Sequence, residues 1–121
     1  DLANTPGTKI RMIDHSEAVA GMNKKYGQLY VEDVIPKATY RGMDSDNKIA
    51  TVWNILVAHE KMSDQTAYNI VKTIFDKRPD LINVHVEAEN IKLESQKNSA
   101  TPIPFHPGAI KYLTGRGAKL N

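Results

Sequence analysis

The stretch whose reading decides the fold is IATVWNILVAHEKMSDQTAYNIVKTIF, residues 49–75. Its first part, Ile49 to His59, is rich in β-branched and apolar residues and carries no charge from Ile49 to Ala58, the character of a buried strand. The period then changes. Ala67, Ile70, Val71, Ile74 and Phe75 fall at i, i+3, i+4, i+7 and i+8, the stripe of a core-facing helix. Ser63 stands where an N-cap belongs, and Asp64 complements the positive helix end. A strand leading into a helix makes the class α/β, with few strands flanked by helices.

Upstream, Lys9 to Ile13 (KIRMI) alternates polar and apolar side chains, as a short half-buried strand does. Asp14 and Glu17 have capping-box spacing, and the helix predicted over residues 16–26 ends at Gly27. LYVEDVIPKATY is extended and interrupted by Pro36, which suits an edge strand or a crossing between lobes. RGMDSDNK is a loop. Downstream, Pro79 marks a break and residues 81–99 read as helical in pieces. PIPFHPGAIKYLTGRG, residues 102–117, reads as an extended strap and a short terminal helix started by Pro107, with Phe105, Ile110 and Leu113 as its apolar anchors.

With 121 residues the chain has material for one core. Its 16 Lys and Arg are interspersed with 14 Asp and Glu, for a net charge of +2, so no basic patch directs it to nucleic acid or an anionic membrane. Nothing approaches the roughly 20 apolar residues of a membrane-spanning helix. Cysteine is absent, so no disulfide frame or thiolate site is expected.

The chemistry-bearing residues do not assemble into a reaction centre. His15, His59, His85 and His106 lack the H-E-x-x-H spacing that sets two imidazoles on one helical face, so no metal site is expected. His106 precedes a helix N-terminus, where it caps or packs. Asp44 and Asp46 resemble part of a calcium loop but lack its closing glutamate, and a polar turn fits them better. Without a nucleophile elbow, P-loop or dinucleotide fingerprint, the chain is read as a non-enzyme with no cofactor.

The order of its motifs carries a resemblance. Ile35, Pro36, Tyr40 and Gly42 stand as IP-x-x-x-Y-x-G, Thr51 and Val52 open the apolar run, and Pro104, His106, Gly108 and Ala109 stand as P-x-H-x-G-A. Over roughly residues 8–115 this resembles the C-terminal part of TAXI-type solute receptors of TRAP transporters. The loop after the tyrosine has Arg41 and Met43 where that family often carries Pro and Gln. The resemblance implies the C-terminal part of a two-lobed periplasmic binding protein-like fold. Residues 1–121 would then be a fragment, with a lobe-crossing strand–helix–strand part over about 8–48 and a strand, long helix and C-terminal strap over about 49–121. It further implies a periplasmic protein with a signal peptide in its precursor and membrane subunits of the transporter as partners. The ligand would be a small organic anion such as a dicarboxylate or an amino acid, bound with the help of a missing N-terminal half. The strap would brace the assembled body.

Tyr30, Tyr40 and Trp53 flank the two extended segments that would cross between lobes, where ligand clefts open. Tyr40 and Arg41 could close over an organic anion, with Arg41 pairing its carboxylate in bidentate fashion. The alternative, weightier for each residue taken singly, is that Tyr40 and Trp53 are core and Arg41 is solvated. A fragment with an uncovered apolar strand is also expected to self-associate as a homodimer. The competing function is a free-standing small α/β interaction module without a small-molecule ligand.

Overall fold

A computed structural model describes residues 2–121. They form two compact units, one ending at Trp53 and the other beginning at Asn54. The chain is α/β: four α-helices, α1 to α4, and a two-stranded antiparallel sheet are found among the described residues.

In the first unit, α1 spans Ala18–Tyr26. Its start is an Asp14 turn rather than the expected capping box. The Asp14 carboxylate accepts from the Ser16 N–H at 3.0 Å and the Ser16 hydroxyl at 2.9 Å, while the Glu17 side chain caps nothing. Gly27, at φ 92°, ends α1 and donates to the Asn23 carbonyl. Strand β1, Val31–Ile35, stops at Pro36 and pairs with β2, Asn47–Thr51, from Val31 opposite Thr51 to Ile35 opposite Asn47.

Two expected strands come out differently. KIRMI forms no strand; the segment meets β2 through one backbone bond, His15 N–H to the Lys48 carbonyl at 3.4 Å, and through the Asn47 amide to the Ile13 carbonyl at 3.3 Å. A single bond is too little to hold a ladder. The strand read over residues 49–59 ends at Thr51. Its partner β1 begins at Val31, opposite Thr51, so the ladder runs out there. Beyond it Val52, Ile55, Leu56 and Val57 are exposed.

In the second unit, α2 spans Asp64–Asp76, capped as expected by Ser63, whose hydroxyl accepts from the Thr66 N–H at 3.1 Å. Pro79 starts a new helix instead of merely closing the old one: α3, Arg78–Val84, follows with Lys77 serving as the C-cap of α2 and the N-cap of α3. Short 3-10 turns at Val86–Asn90 and Asn98–Ala100 complete the region expected to be helical in pieces. The Arg78 guanidinium ties the first of them down through the Ala88 and Glu89 carbonyls.

The strap carries α4, Pro107–Gly115, which lies on α2. Two local devices set it. Gly108 lets the backbones touch, since a Cβ there would stand 2.1 Å from the Asp64 carbonyl oxygen. At the other end Gly117, at φ 90°, donates to the Thr114 carbonyl and Ala118 to that of Leu113, which is a Schellman closure. Tyr112, Leu113 and Leu120 form the core, with Tyr68, Val71, Phe75, Leu93, Phe105 and Ala118 packed around it. Of the three expected anchors, Leu113 is buried and Phe105 half-buried, but Ile110 faces outward. On α2, similarly, Tyr68 joins the core and Ile70 turns outward.

Candidate functional site

The first unit holds all four residues singled out for binding. Tyr30 is half-buried immediately before β1, and its backbone is clamped by one side chain. The Asn23 amide donates to the Tyr30 carbonyl at 2.8 Å and accepts from the Tyr30 and Leu29 N–H groups at 2.9 and 3.1 Å. Asn23 thereby imitates the strand that β1 lacks at this point. Trp53 lies two residues past β2 and is 38% exposed. By the ladder register, Tyr30 and Trp53 stand at the open end of the hairpin.

Tyr40 and Arg41 stand at the other end, in the connection between β1 and β2. Two successive turns shape it. Thr39 donates its N–H at 3.2 Å and its hydroxyl at 2.6 Å to the Pro36 carbonyl, and Ala38, third in this turn, has φ 67°. Met43 donates to the Tyr40 carbonyl at 3.1 Å, and Gly42, third in this second turn, has φ 93°. A positive φ at the third position is the type II signature, free for glycine and strained for Ala38 by about 1 kcal/mol. Pro36 and Gly42 of the sequence motif are thus turn-builders, and Arg41 occupies the second corner of the second turn. The Asp46 carboxylate staples the connection by accepting from the Lys37 N–H at 2.8 Å.

Tyr40 is 44% exposed and Arg41 is exposed; among the described residues Arg41 enters no ion pair and no cation–π contact. The core reading of Tyr40 and Trp53 therefore does not describe this chain: both reach solvent. The hairpin brings Tyr40 and Arg41 together in sequence and leaves Tyr30 and Trp53 at its open end, where the register continued past the last pair sets Tyr30 opposite Val52 and not Trp53. It sets the two pairs five ladder positions apart. Chemically, an unpaired guanidinium beside a phenol ring can take a carboxylate through two parallel N–H bonds, with the ring as apolar wall.

Electrostatics around the hairpin are local. The Ser16 N–H, then the Ser16 hydroxyl, hold the Asp14 carboxyl below its ordinary range, with Lys48 and His15 adding small contributions in the same direction. In the second unit Lys72 and Asp76 form an ion pair that lowers the Asp76 carboxyl and raises the Lys72 ammonium. All four histidines turn a ring nitrogen to a backbone group two residues away. His15 meets the Ile13 carbonyl, and His59, His85 and His106 accept from the N–H groups of Lys61, Glu87 and Gly108. His106 also reaches the Met62 carbonyl with Nε2 at 3.0 Å, so one imidazole joins the starts of α2 and α4. This role of His106 as both cap and clasp was only half legible in its place before Pro107.

The second unit contains a cavity of about 560 Å³ between Ile110 and Thr114 of α4 and the closing residues Ala118 to Asn121. None of the four predicted residues lines it. Sequence reasoning missed it because its walls meet only when the tail folds back, with the Asn98 N–H donating to the Leu120 carbonyl at 2.7 Å. It also missed Asn23, while it placed Asp46 in a polar turn without foreseeing the bond to Lys37. The signal available for Asn23 was an amide four residues ahead of the helix-ending Gly27.

The profile of the NMT1-like family matches residues 1–117. The chain belongs to the NMT1-like family. This is a periplasmic binding-protein-like family, and the kind of function that goes with it is that of a solute-binding receptor for a small-molecule ligand. No curated protein matches the chain. In this NMT1-like chain the match takes in both units, the Tyr40–Arg41 connection and the α4 strap.

Proposed function

We propose that this NMT1-like chain serves as the substrate-binding receptor component of a TRAP-type secondary transporter of the TAXI kind. It captures a small organic anion, a dicarboxylate or an amino acid, for uptake, works in the periplasm and hands the ligand to the membrane subunits of the transporter. It carries out no catalysis. The observation that supports this reading is Arg41: an exposed guanidinium without an ion-pair partner among the described residues, set by a glycine-built turn beside Tyr40. Arg41 pairs the ligand carboxylate, Tyr40 covers it, and Tyr30 and Trp53 supply aromatic surface at the other end of the hairpin.

The test is calorimetric titration of small dicarboxylates and amino acids into the protein that carries this sequence, beside its Arg41→Gln variant. Loss of a bidentate charge-assisted pair is expected to weaken binding by about tenfold to a hundredfold. Equal affinity of the two proteins removes Arg41 from the site, and cell fractionation that finds the protein in the cytoplasm removes the transport reading. A second reading, the free-standing interaction module, is favoured by one observation, the exposed uncharged run from Val52 to Val57. The absence of any anion binding together with partner association would favour it.

A further inference from the structure

The segment that follows β2 is built like a strand and has nothing to pair with. From Val52 to Ala58 no backbone N–H or carbonyl bonds to any described residue. In the same stretch Val52, Leu56 and Val57 are 61%, 74% and 61% exposed. Ten residues from Ile49 to Ala58 carry no charge, and the run contains no proline or glycine. Such a segment offers unpaired edges to another strand.

We infer that the strand it takes is its own copy, in an antiparallel pairing across a two-fold axis at Asn54. Written against itself in that register, the segment is self-complementary. Trp53 meets Ile55 of the second copy, Val52 meets Leu56, Thr51 meets Val57 and Ala50 meets Ala58. At each end Lys48 comes opposite Glu60 of the other copy, so four charges close the ladder as two opposite pairs. Lys48 and Glu60 are exposed and enter no ion pair among the described residues. Period two then sorts the side chains: Thr51, Trp53, Ile55 and Val57 share one face, which is apolar but for a hydroxyl. A register shifted by one residue sets Lys48 opposite His59 and loses both charge pairs. On one edge β2 is taken by β1; on the other, the single bond to His15 stops at Lys48, which leaves Ala50 to Ala58 open. The product is a continuous sheet, β1–β2 of one copy followed by β2–β1 of the next, with the isologous contact that two-fold closure requires.

Sedimentation of the 121-residue chain over a wide concentration series tests this, with circular dichroism to verify the fold of each variant. A monomer–dimer equilibrium is expected. Glu60→Lys, at an exposed position that closes the proposed ladder, makes both end pairs repulsive and weakens the dimer by about tenfold; adding Lys48→Glu restores it. The register has its own readout because the chain has no cysteine. Asn54→Cys, facing itself across the axis, gives a disulfide-linked dimer on mild oxidation, whereas Ile103→Cys, 50% exposed elsewhere, crosslinks only at the collisional background. A monomer at every concentration overturns the proposal. So does a dimer that the charge swap fails to restore, or one in which Asn54→Cys crosslinks no better than Ile103→Cys.

Discussion

The two units are held together by different physics. Among the described residues, the unit ending at Trp53 buries one apolar side chain, Val19, and two polar ones, Ser16 and Asn47. The unit beginning at Asn54 buries Ala67, Ala109, Tyr112, Leu113 and Leu120, all hydrophobic. The first is stitched by side-chain-to-backbone hydrogen bonds, from Asp14 to Ser16, Asn23 to Leu29 and Tyr30, Asp46 to Lys37 and Asn47 to Ile13. The second rests on an aromatic core in which Tyr112 sits edge-on to Tyr68 at 5.4 Å and tilted to Phe75 at 5.8 Å. A two-stranded hairpin without a large core is marginal, so its backbone bonds carry its shape. The unit with the thin core also holds the exposed Tyr40 and Arg41, which we propose to bind ligand, and binding segments are commonly drawn from the less stable parts of a fold.

The largest expected effect tests the core side of this contrast. Leu113 is 2% exposed, and Leu113→Ala should lower the unfolding free energy by about 3 kcal/mol, read from urea unfolding by helical circular dichroism. A loss below about 1 kcal/mol would make α4 a loose tail. Gly108→Ala comes next. Its Cβ would collide with main chain at 2.1 Å, which no rotamer relieves, so α4 must shift off α2 at a cost of about 2 kcal/mol. A variant as stable as the parent would mean the two helices do not approach so closely.

Asn23→Ala probes the stitched side. It removes three hydrogen bonds to the backbone of residues 29 and 30, about 1–2 kcal/mol in a half-exposed place. Faster amide exchange confined to β1 and β2 is the expected signature, and exchange unchanged there would show that Asn23 does not hold the hairpin. Tyr112→Phe has the opposite sign. Its hydroxyl is buried without a hydrogen-bond partner among the described residues, so removing it should leave stability level or raise it by up to about 1 kcal/mol. A clear loss would reveal a partner for that oxygen.

The smallest effect is the acid response of the Asp14 turn. The folded carboxyl lies below its ordinary value of 3.8, so its contribution is present above that pH and is lost as the pH falls through the folded value. Asp14→Asn should flatten this part of the stability curve. An identical acid limb in both proteins would show that the turn contributes nothing to folding.

Signals that act within a few residues were legible in the sequence. Ser63 caps α2, Gly27 and Gly117 close α1 and α4, Pro107 opens α4 and Pro36 stops β1, because each satisfies or forbids backbone bonds within one turn of itself. The α/β class and the placing of Arg41 in a loop followed from those signals, whereas Tyr40, read as the end of an extended segment, lies in a turn because β1 already stops at Ile35. Tertiary structure alone decided the rest. Residues 52–59 have the composition of a strand, but a strand exists only where a neighbour supplies the ladder, and β1 begins too late to reach them. KIRMI alternates correctly yet meets β2 only through the Asn47 side chain at the Ile13 carbonyl, and the nearest backbone bond is made two residues on, by His15. Gly108 reads as an ordinary glycine until the Asp64 carbonyl, forty-four residues earlier, comes to rest against it. Local grammar is written in one chain segment, whereas pairing and close packing need a second segment whose position no short window contains.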